Sequence, residues 1–361
     1  MTANPTPHAG APDLGDGALA AALVALAAGR DLGESLVTDA FGELMSGRAS
    51  AVQAAALLMG LRTKGETGVE LAGTVRALRA VMTTVLLPDG PAVIDTCGTG
   101  GGSVSTFNIS TAAALVAVGA GARVAKHGNR SYTSRCGSAD VLEALGIDIA
   151  LDASGAAHLI ERAGMAFLFA PAFHPAMRFV APVRRELGVA TVMNLAGPLA
   201  NPAAVTRQVV GVADADRAPV VAAAFARLEP LHALVVHAQV GMDEISPAGS
   251  TDVWEVRGDA VERWTLEPAT FGLEAAPLDE LAGGTPGENA ERIGRILEEP
   301  GRHRVGRAVL ALNGAAAVYV AGLAESFAEG VELAVASLDE GKAAAALETL
   351  MREAAATGTS E

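Results

Sequence analysis

The chain has 361 residues, of which 50% are hydrophobic and 4% aromatic, and its formal net charge at pH 7 is −15. This length allows a large domain with a sizeable core beside a smaller one. The negative charge argues against a protein that binds nucleic acid without sequence preference, because such proteins carry a basic surface. The only cysteines, Cys97 and Cys136, cannot build a disulfide framework, which favours a reducing cytoplasm.

The N-terminal quarter predicts a disordered leader followed by a small α-helical domain at 16–86. Residues 1–15 are rich in Pro, Gly and Ala, and no Lys or Arg precedes Arg30, so no secretory signal is expected. Ser50 with Gln53 has the pattern of a capping box, as does Thr67 with Glu70. The predicted helices are 17–29, 34–46, 51–62 and 68–82.

From residue 90 onward, short apolar runs alternate with helical patterns, which predicts an α/β domain with a mostly parallel central sheet. The uncharged stretch 96–122 is long enough to span a membrane, but polar residues and glycines interrupt it, so no membrane contact is expected. A connecting element is expected at 191–202. The predicted strands are 92–94, 123–125, 165–170, 208–212, 232–237 and a hairpin at 251–266. The predicted helices are 138–145, 154–163, 174–187 with a break near Pro182, 214–228, 288–299, 303–321 and 327–356.

A glycine-rich loop follows the first predicted strand. It reads CGTGGG at 97–102 and leads to a helix that begins near Asn108. A glycine loop followed by a helix N-terminus presents backbone N–H groups to a phosphate. The pattern is neither of the two standard nucleotide-binding motifs, so an empty surface loop is the alternative. A second polar group, KHGNRS at 126–131, follows the next strand, and parallel strands would bring both loops to one edge.

Three further groups of side chains could carry chemistry. Asp243 and Glu244 follow a predicted buried strand, where they are either solvated or part of a Mg²⁺ site to which Ser110 adds an oxygen. Arg184, with Arg178 and Arg185 nearby, either lies on a solvated helix face or grips a carboxylate. Because no nucleophile–base motif appears, the pattern favours transfer from a diphosphate by positioning and electrostatic stabilisation.

Taken together, these motifs resemble the anthranilate phosphoribosyltransferases of tryptophan biosynthesis. The resemblance covers most of residues 15–350 and rests on DTCGTGG at 95–101, TFNIST at 106–111, KHGNRS at 126–131, CGSADVLEALG at 136–146, residues 173–187, NLAGPLANP at 194–202 and GMDEIS at 241–246. It implies a cytoplasmic homodimer joined through its α domains, with a fold similar to the pyrimidine nucleoside phosphorylases. It also implies that 174–202 joins the small domain in space, and that 90–173 and 203–356 form the α/β domain.

The resemblance further implies a site for phosphoribosyl pyrophosphate, anthranilate and Mg²⁺. Arg184 would face anthranilate with His127, Asn129 and Gly98, and the catalytic groups would be Lys126, Arg184, Asp243 and Glu244. Ser110, Asp243 and Glu244 would bind Mg²⁺. The residues implied around phosphoribosyl pyrophosphate are Gly98, Thr99, Gly101, Gly102, Thr106, Asn108, Ile109, Ser110, Thr111, Lys126, His127, Gly128, Asn129, Arg130, Ser131, Ser134 and Ser138.

One departure from the family pattern lies in the glycine loop. The family sequence usually continues GTGGD, whereas position 102 is Gly here, so an acidic side chain beside the substrate is missing. Three other functions stay open. They are transfer to a different aromatic or heterocyclic amine, nucleoside phosphorolysis, and a non-catalytic nucleic-acid-binding role on the same fold, which the net charge disfavours.

Overall fold

The computed structural model describes residues 17–87, 90–131 and 135–357. The expected leader at 1–15 lies outside these ranges, and so does Ser134. Within them, none of the helices combines the length and the apolar character needed to span a bilayer.

Four helices form the N-terminal part, as predicted. Both capping boxes are present: Ser50 and Gln53 exchange two hydrogen bonds of 3.0 and 3.2 Å, and Thr67 and Glu70 do the same. These bonds satisfy N–H groups that the first turn leaves free. The helices are α1 (Ala18–Ala27), α2 (Glu34–Met45), α3 (Ala51–Lys64) and α4 (Gly68–Arg79).

The predicted α/β architecture is confirmed by a single seven-stranded sheet of order β3-β2-β1-β4-β5-β6-β7. The first five strands are parallel, and β6 and β7 form the predicted antiparallel hairpin. Gly258 and Asp259 connect the two strands of the hairpin, as expected. The strands are β1 (Val93–Gly98), β2 (Arg123–Gly128), β3 (Met165–Phe169), β4 (Arg207–Gly211), β5 (His232–Ala238), β6 (Thr251–Arg257) and β7 (Ala260–Leu266).

The remaining helices include α8, which was not predicted, and they differ from the prediction at two further places. Residues 191–202 are not merely a connection, because Thr191 N donates to Asn194 Oδ1 at 3.0 Å where a helix starts. The predicted helix 327–356 is two helices, because Gly341 adopts a left-handed φ of +73° between them. These helices are α5 (Ile109–Gly119), α6 (Ser138–Ala144), α7 (Ala153–Ala163), α8 (Ala170–Phe173), α9 (Ala181–Leu187), α10 (Val192–Leu199), α11 (Ala218–Leu228), α12 (Pro286–Glu298), α13 (Arg304–Ala321), α14 (Phe327–Asp339) and α15 (Lys342–Thr357).

The two faces of the sheet bury different cores. One core contains Ile94 and Val124 and is covered by α5, α7, α13, α14 and α15. The other contains Val235 of β5 and is continuous with Leu57 of the N-terminal helices and Leu199 of α10. Within the segment 174–202, α9 packs against α3, and α10 packs against α3 and α4.

Ion pairs join the N-terminal helices to α11 on the second face. Arg217 Nη2 lies 3.0 and 2.9 Å from the two carboxylate oxygens of Glu66, and both residues are buried. At the other end of α11, Arg227 Nη1 lies 3.1 Å from Glu34 Oε2. A buried pair of this kind is costly to break, because removing one partner leaves a buried charge alone. The helical part is thereby held in one orientation on the sheet.

A polar cluster lies around Glu255 on β6, near the start of β5. Glu255 Oε1 lies 2.9 Å from His232 Nε2 and accepts a 3.0 Å hydrogen bond from the Tyr319 hydroxyl. Glu255 Oε2 accepts a 3.1 Å hydrogen bond from Trp264 Nε1. Burial alone would raise the pKa of Glu255, but the bonds from His232 and Tyr319 outweigh it and lower the pKa to about 2.

Glu255→Gln should therefore destabilise the protein in a pH-dependent way. A carboxyl whose pKa falls from 4.5 to about 2 on folding contributes stability that is present above pH 4.5 and is lost as the pH falls towards 2. Urea denaturation should show a loss of about 2 kcal/mol in the variant at pH 7 and a smaller loss at pH 3.5. An equal loss at both pH values would contradict this role of the charge.

Candidate active site

The candidate site lies at the carboxyl edge of the parallel strands. β1, β2 and β4 end at Gly98, Gly128 and Gly211, and β1 lies between the other two. The chain crosses from one side of β1 to the other at this point, so the strand order reverses there. Ligands of open α/β sheets bind in the crevice outside such a reversal.

The glycine loop after β1 packs directly against the acidic loop after β5. Asp243 Oδ2 accepts a 2.8 Å hydrogen bond from Gly100 N. A Cβ at Gly98 would lie 2.4 Å from Asp243 Oδ2, and a Cβ at Gly211 would lie 1.5 Å from the Asp243 carbonyl oxygen. Gly100 and Gly101 have left-handed φ angles of +68° and +82°. Side chains at Gly98 or Gly211 would force the two loops apart, whereas side chains at Gly100 or Gly101 would strain the backbone.

The unusual glycine at position 102 has a physical reason in this packing. A Cβ at Gly102 would lie 2.8 Å from the carbonyl oxygen of Gly241, a backbone atom that cannot move alone. The same carbonyl accepts a 3.2 Å hydrogen bond from Ser103 N. At the other end of the loop, Thr99 N donates to the Gly211 carbonyl at 2.9 Å. An aspartate at 102 would require the glycine loop to move away from Gly241. With glycine at 102, the two segments pack more closely than a larger residue would permit.

β2 extends three residues beyond its prediction, which places Lys126, His127 and Gly128 in the strand rather than in the loop after it. Successive side chains of a strand point to opposite faces. Lys126 therefore faces α5, and His127 faces α10. The loop prediction was wrong because polar residues at a strand end do not reveal where the hydrogen-bonded ladder stops.

Lys126 forms part of the floor of the site on the α5 side. Its Nζ donates to Ser110 Oγ at 3.1 Å and also bonds the Thr96 carbonyl oxygen. Burial lowers the pKa of Lys126, while the charges of Asp95 and Glu244 act in the opposite direction. The residue is 1% exposed, so its side chain lies in the interior of the protein.

The two acids are half-buried, and within the described part of the chain Lys126 is the cation whose charge opposes the shift in the pKa of Glu244. Burial raises the pKa of Asp243. It raises the pKa of Glu244 well above its usual value, and the neighbouring Asp243 charge adds to the shift. Thr106 hydrogen-bonds Glu244, but Glu244 Oε2 is buried without a hydrogen-bond partner. A carboxylate pair in this state suits a bound cation, which would favour the charged form of both groups.

These donors fit Mg²⁺ better than a metal that needs a full protein cage. Among the described residues, no group of three or more His, Cys, Asp or Glu side chains could hold a metal ion. Mg²⁺ is usually held by one or two carboxylates, with waters and substrate phosphates as the remaining ligands. Asp243, Glu244 and the Ser110 hydroxyl beside Lys126 match that donor set.

The N-terminus of α5 opens beside the glycine loop. Its N-cap residue, Asn108, makes no side-chain cap, because Asn108 Oδ1 accepts from Asn289 Nδ2 at 3.0 Å and Cys136 Sγ at 3.2 Å. The Ile109 side chain lies in the core, and Thr111 Oγ1 is buried without a hydrogen-bond partner. Ile109 N and Thr111 N already donate to the carbonyl oxygens of Phe107 and Asn108 at 2.6 and 3.1 Å, so this end of the helix would attract an anion mainly through the helix dipole. Asn289 on α12 was missed because its partner is distant in the sequence.

The loop after β2 uses its charged residue for internal structure. Arg130 Nη1 lies 2.9 Å from Asp140 Oδ1, and its Nη2 lies 2.8 Å from Glu143 Oε1. Asn129 Oδ1 accepts a 2.7 Å bond from Arg130 N, and the Asn129 carbonyl oxygen accepts one of 3.3 Å from the Ser138 hydroxyl. The guanidinium therefore faces α6, and the loop backbone faces the site. Ser131 N donates to Asp140 Oδ2 at 3.3 Å.

A pair of buried histidines lies on the α10 side of the sheet. The rings of His127 and His174 are 5.1 Å apart, and the Nε2 atoms of both are buried without a hydrogen-bond partner. Burial, with His174 beside it, lowers the pKa of His127 to about 3, and burial also lowers the pKa of His174. Both rings are therefore neutral at pH 7. His174 was not predicted, because a single His before a Pro carries no distinctive pattern.

Arg184 lies at the same side, on α9. Its Nη2 is 3.4 Å from Asn194 Oδ1, which also accepts a 3.0 Å hydrogen bond from Thr191 N at the start of α10. His127 and His174 hydrogen-bond the backbone at Gly197 and Ala200, in and just after the same helix. α10 thus connects the arginine with both imidazoles. Arg178, in contrast, lies over the Phe179 ring at 4.7 Å.

A buried carboxylate fixes the end of α10 to the sheet. Asp95 Oδ2 accepts from Asn201 Nδ2 at 2.8 Å and Gln208 Nε2 at 3.0 Å, and its Oδ1 accepts from His127 N at 3.2 Å. Burial raises the pKa of Asp95 to about 6 against the opposing charge of Lys126. Sequence reasoning assigned Asp95 no role, because its partners come from three separate segments.

Two family descriptions match most of the chain. The family description "Glycosyl transferase family, a/b domain" matches residues 90–344, and "Glycosyl transferase family, helical bundle domain" matches 20–82. The anthranilate phosphoribosyltransferase of Thermomicrobium roseum is 51% identical over 323 residues, which cover 89% of this chain and 92% of that protein. That of Rubrobacter xylanophilus is 50% identical over 333 residues, covering 92% and 96%.

Solved structures agree with these matches. The crystal structure of anthranilate phosphoribosyltransferase from Thermus thermophilus has a TM-score of 0.85 and 40% identity, covering 92% of this chain and 99% of that one. The Saccharomyces cerevisiae enzyme in complex with PRPP and Mg has a TM-score of 0.84 and 29% identity, covering 95% and 99%. The chain therefore belongs to the glycosyl transferase family that these descriptions define and, within it, to the anthranilate phosphoribosyltransferases.

Proposed function

We propose that this protein transfers the phosphoribosyl group of 5-phosphoribosyl 1-pyrophosphate to the amine of anthranilate. The products are N-(5-phosphoribosyl)anthranilate and pyrophosphate, in the second step of tryptophan synthesis from chorismate. The observation that carries the proposal is the packing of the glycine loop on the acidic pair, with Gly100 N bonded to Asp243, at the reversal point of the sheet. The family membership supports the choice of substrates.

In this proposal, phosphoribosyl pyrophosphate lies across the glycine loop and the N-terminus of α5. Backbone N–H groups and the helix dipole favour its phosphates there. Lys126, whose Nζ bonds Ser110 Oγ, adds positive charge beside the N-terminus of α5. The proposed contacts are Gly98, Thr99, Gly101, Gly102, Thr106, Asn108, Ile109, Ser110, Thr111, Lys126, His127, Gly128, Asn129, Arg130, Ser131, Ser134 and Ser138. Of these, Ile109 would contribute its backbone, since its side chain is in the core.

Asp243 and Glu244 would hold Mg²⁺, with Ser110 as a third oxygen or a contact through the diphosphate. The cation, when bound, neutralises charge that develops on the leaving diphosphate. The unpartnered Glu244 Oε2 supports this role, because a buried carboxylate oxygen requires a donor or a cation.

Arg184 would bind the carboxylate of anthranilate, with Gly98, His127 and Asn129 around the ring. The aromatic amine is neutral at pH 7 and needs no strong general base. The neutral imidazoles of His127 and His174 suit an uncharged ring face. The bond from ribose C1 to the diphosphate oxygen breaks, the amine nitrogen bonds C1 from the opposite face, and the nitrogen then loses its proton. The side chains act by alignment and charge stabilisation.

We also propose the remaining features that the resemblance implies. These are a cytoplasmic location and the division into a helical domain (16–86, joined by 174–202) and an α/β domain (90–173 and 203–356). Within the part of the chain that the structure describes, Cys97 and Cys136 form no disulfide, which is consistent with a reducing compartment.

The protein should be a homodimer joined through its helical part. An open groove of about 370 Å³ between α1 and α3 is lined by apolar side chains, and Val24 beside it is 52% exposed. A second copy would cover this surface.

Val24→Lys should shift sedimentation from dimer to monomer, whereas Val261→Lys, on the exposed hairpin, should leave the dimer intact. A wild-type monomer at micromolar concentration would contradict the assembly.

The function is tested by incubating the protein with anthranilate, phosphoribosyl pyrophosphate and Mg²⁺ and following the fluorescence of anthranilate. We expect a loss of fluorescence that requires all three components. As a metal-site variant, Asp243→Asn with Glu244→Gln should lower turnover by at least about a hundredfold, while Glu262→Gln on the exposed hairpin should not. Consumption of another aromatic amine, with anthranilate untouched, would establish a different acceptor. Full turnover by the double variant would reject the metal assignment.

Arg184→Ala should weaken the binding of anthranilate without weakening that of phosphoribosyl pyrophosphate. Loss of a bidentate carboxylate partner should raise the KM for anthranilate about tenfold or more, with a change below about threefold for phosphoribosyl pyrophosphate. Arg185→Ala, at the exposed neighbouring position of α9, is the matched control and should behave as wild type. Equal changes in both KM values would refute the assignment.

A further inference from the structure

A buried amide on α13 holds the acidic loop from behind. Asn313 is 7% exposed within a helix otherwise buried by apolar residues. Its Oδ1 accepts from Ile245 N at 2.9 Å, and its Nδ2 donates to the carbonyl oxygens of Ile245 at 2.9 Å and Val309 at 2.8 Å. The side chain therefore uses its oxygen and both of its amide hydrogens.

The residue held in this way is next to the metal-binding acid. Ile245 directly follows Glu244 and is fully buried. Bonds to both its N–H and its carbonyl fix the peptide planes on either side of it, so the direction of the Glu244 side chain is set from α13. On the other side of the pair, Asp243 is held by Gly100. The two acids are thus fixed from opposite ends.

The same helix, α13, also fixes the position of α5. Gly314 follows Asn313, and a Cβ there would lie 2.6 Å from Val116 Cγ1 of α5. α13 therefore packs closely on α5, the helix that carries Ser110 at its N-terminus. One rigid element of 18 residues sets the distance between the hydroxyl and the acids.

We propose that Asn313 is a positioning residue for the metal–diphosphate half of the site, an inference that rests on the proposed function. It does not touch the ligands. It holds the loop that carries Asp243 and Glu244. In the proposed function, these two acids would hold the cation together with Ser110 and the diphosphate. Partners of this kind are worth about ten- to hundredfold in metal affinity.

A purely structural role would also destabilise the protein on substitution, so the test separates the two substrates. Asn313→Leu keeps the branched shape and the number of side-chain heavy atoms and removes all three hydrogen bonds. We expect the KM for phosphoribosyl pyrophosphate and the half-saturating Mg²⁺ concentration to rise about tenfold or more, with the KM for anthranilate within about twofold. Calorimetric titration with Mn²⁺ and pyrophosphate should show the same loss in binding without catalysis.

Two further variants complete the design. Asn313→Asp keeps the bond to Ile245 N and the side-chain size, so it tests the same constants if the leucine variant does not fold, with the same direction expected. Ser337→Ala removes a buried 2.7 Å hydrogen bond to the Val116 carbonyl, away from the acids, and should change stability only. Equal changes in all three kinetic constants, or unchanged Mn²⁺–pyrophosphate binding, would overturn the proposal. A wild-type protein that binds Mn²⁺–pyrophosphate but leaves anthranilate unchanged would instead reject the proposed function.

Discussion

The contact between the glycine loop and the acidic loop is the constraint on which the site depends. Two segments more than a hundred residues apart meet because Gly98 and Gly211 carry no side chains and Gly100 donates its N–H to Asp243. Backbone donors and half-buried carboxylates therefore lie together at this edge, an arrangement that would suit phosphates together with a cation. It also leaves the acids poorly neutralised, since burial raises the pKa values of both. The site is thus prepared for a ligand that brings its own charge.

Strand alternation divides the rest of the site into two halves. Lys126 and His127 are neighbours in β2 but face opposite sides of the sheet. The lysine side meets α5 and the acidic pair, where charge dominates. The histidine side meets α10, where the imidazoles are neutral and Arg184 approaches. Asp95 connects the halves, because it bonds β2, β4 and Asn201, two residues after α10, while the charge of Lys126 acts on it.

Local patterns sufficed for much of this structure. The capping boxes of α3 and α4, the hairpin turn and the alternation of strands and helices depend on neighbours in sequence, and each was predicted. The glycine loop and the acid pair were found because parallel strands bring their carboxyl ends to one edge. The end of β2, the helix at 192–199, and the roles of Asp95, His174, Asn289 and Asn313 were not found. These depend on hydrogen bonds between distant segments, which no local periodicity encodes. Gly102 is intermediate, since its departure from the family was visible but its reason, the Gly241 carbonyl, was not.

Diffraction from crystals soaked with Mn²⁺ and phosphoribosyl pyrophosphate, recorded at the manganese absorption edge, tests the central claim most directly. The account predicts an anomalous peak at about 2.1 Å from a carboxylate oxygen of Asp243 or Glu244, with the diphosphate beside it over the glycine loop. A diphosphate bound with its metal away from both acids, or bound outside the crevice between β1 and β4, would contradict it.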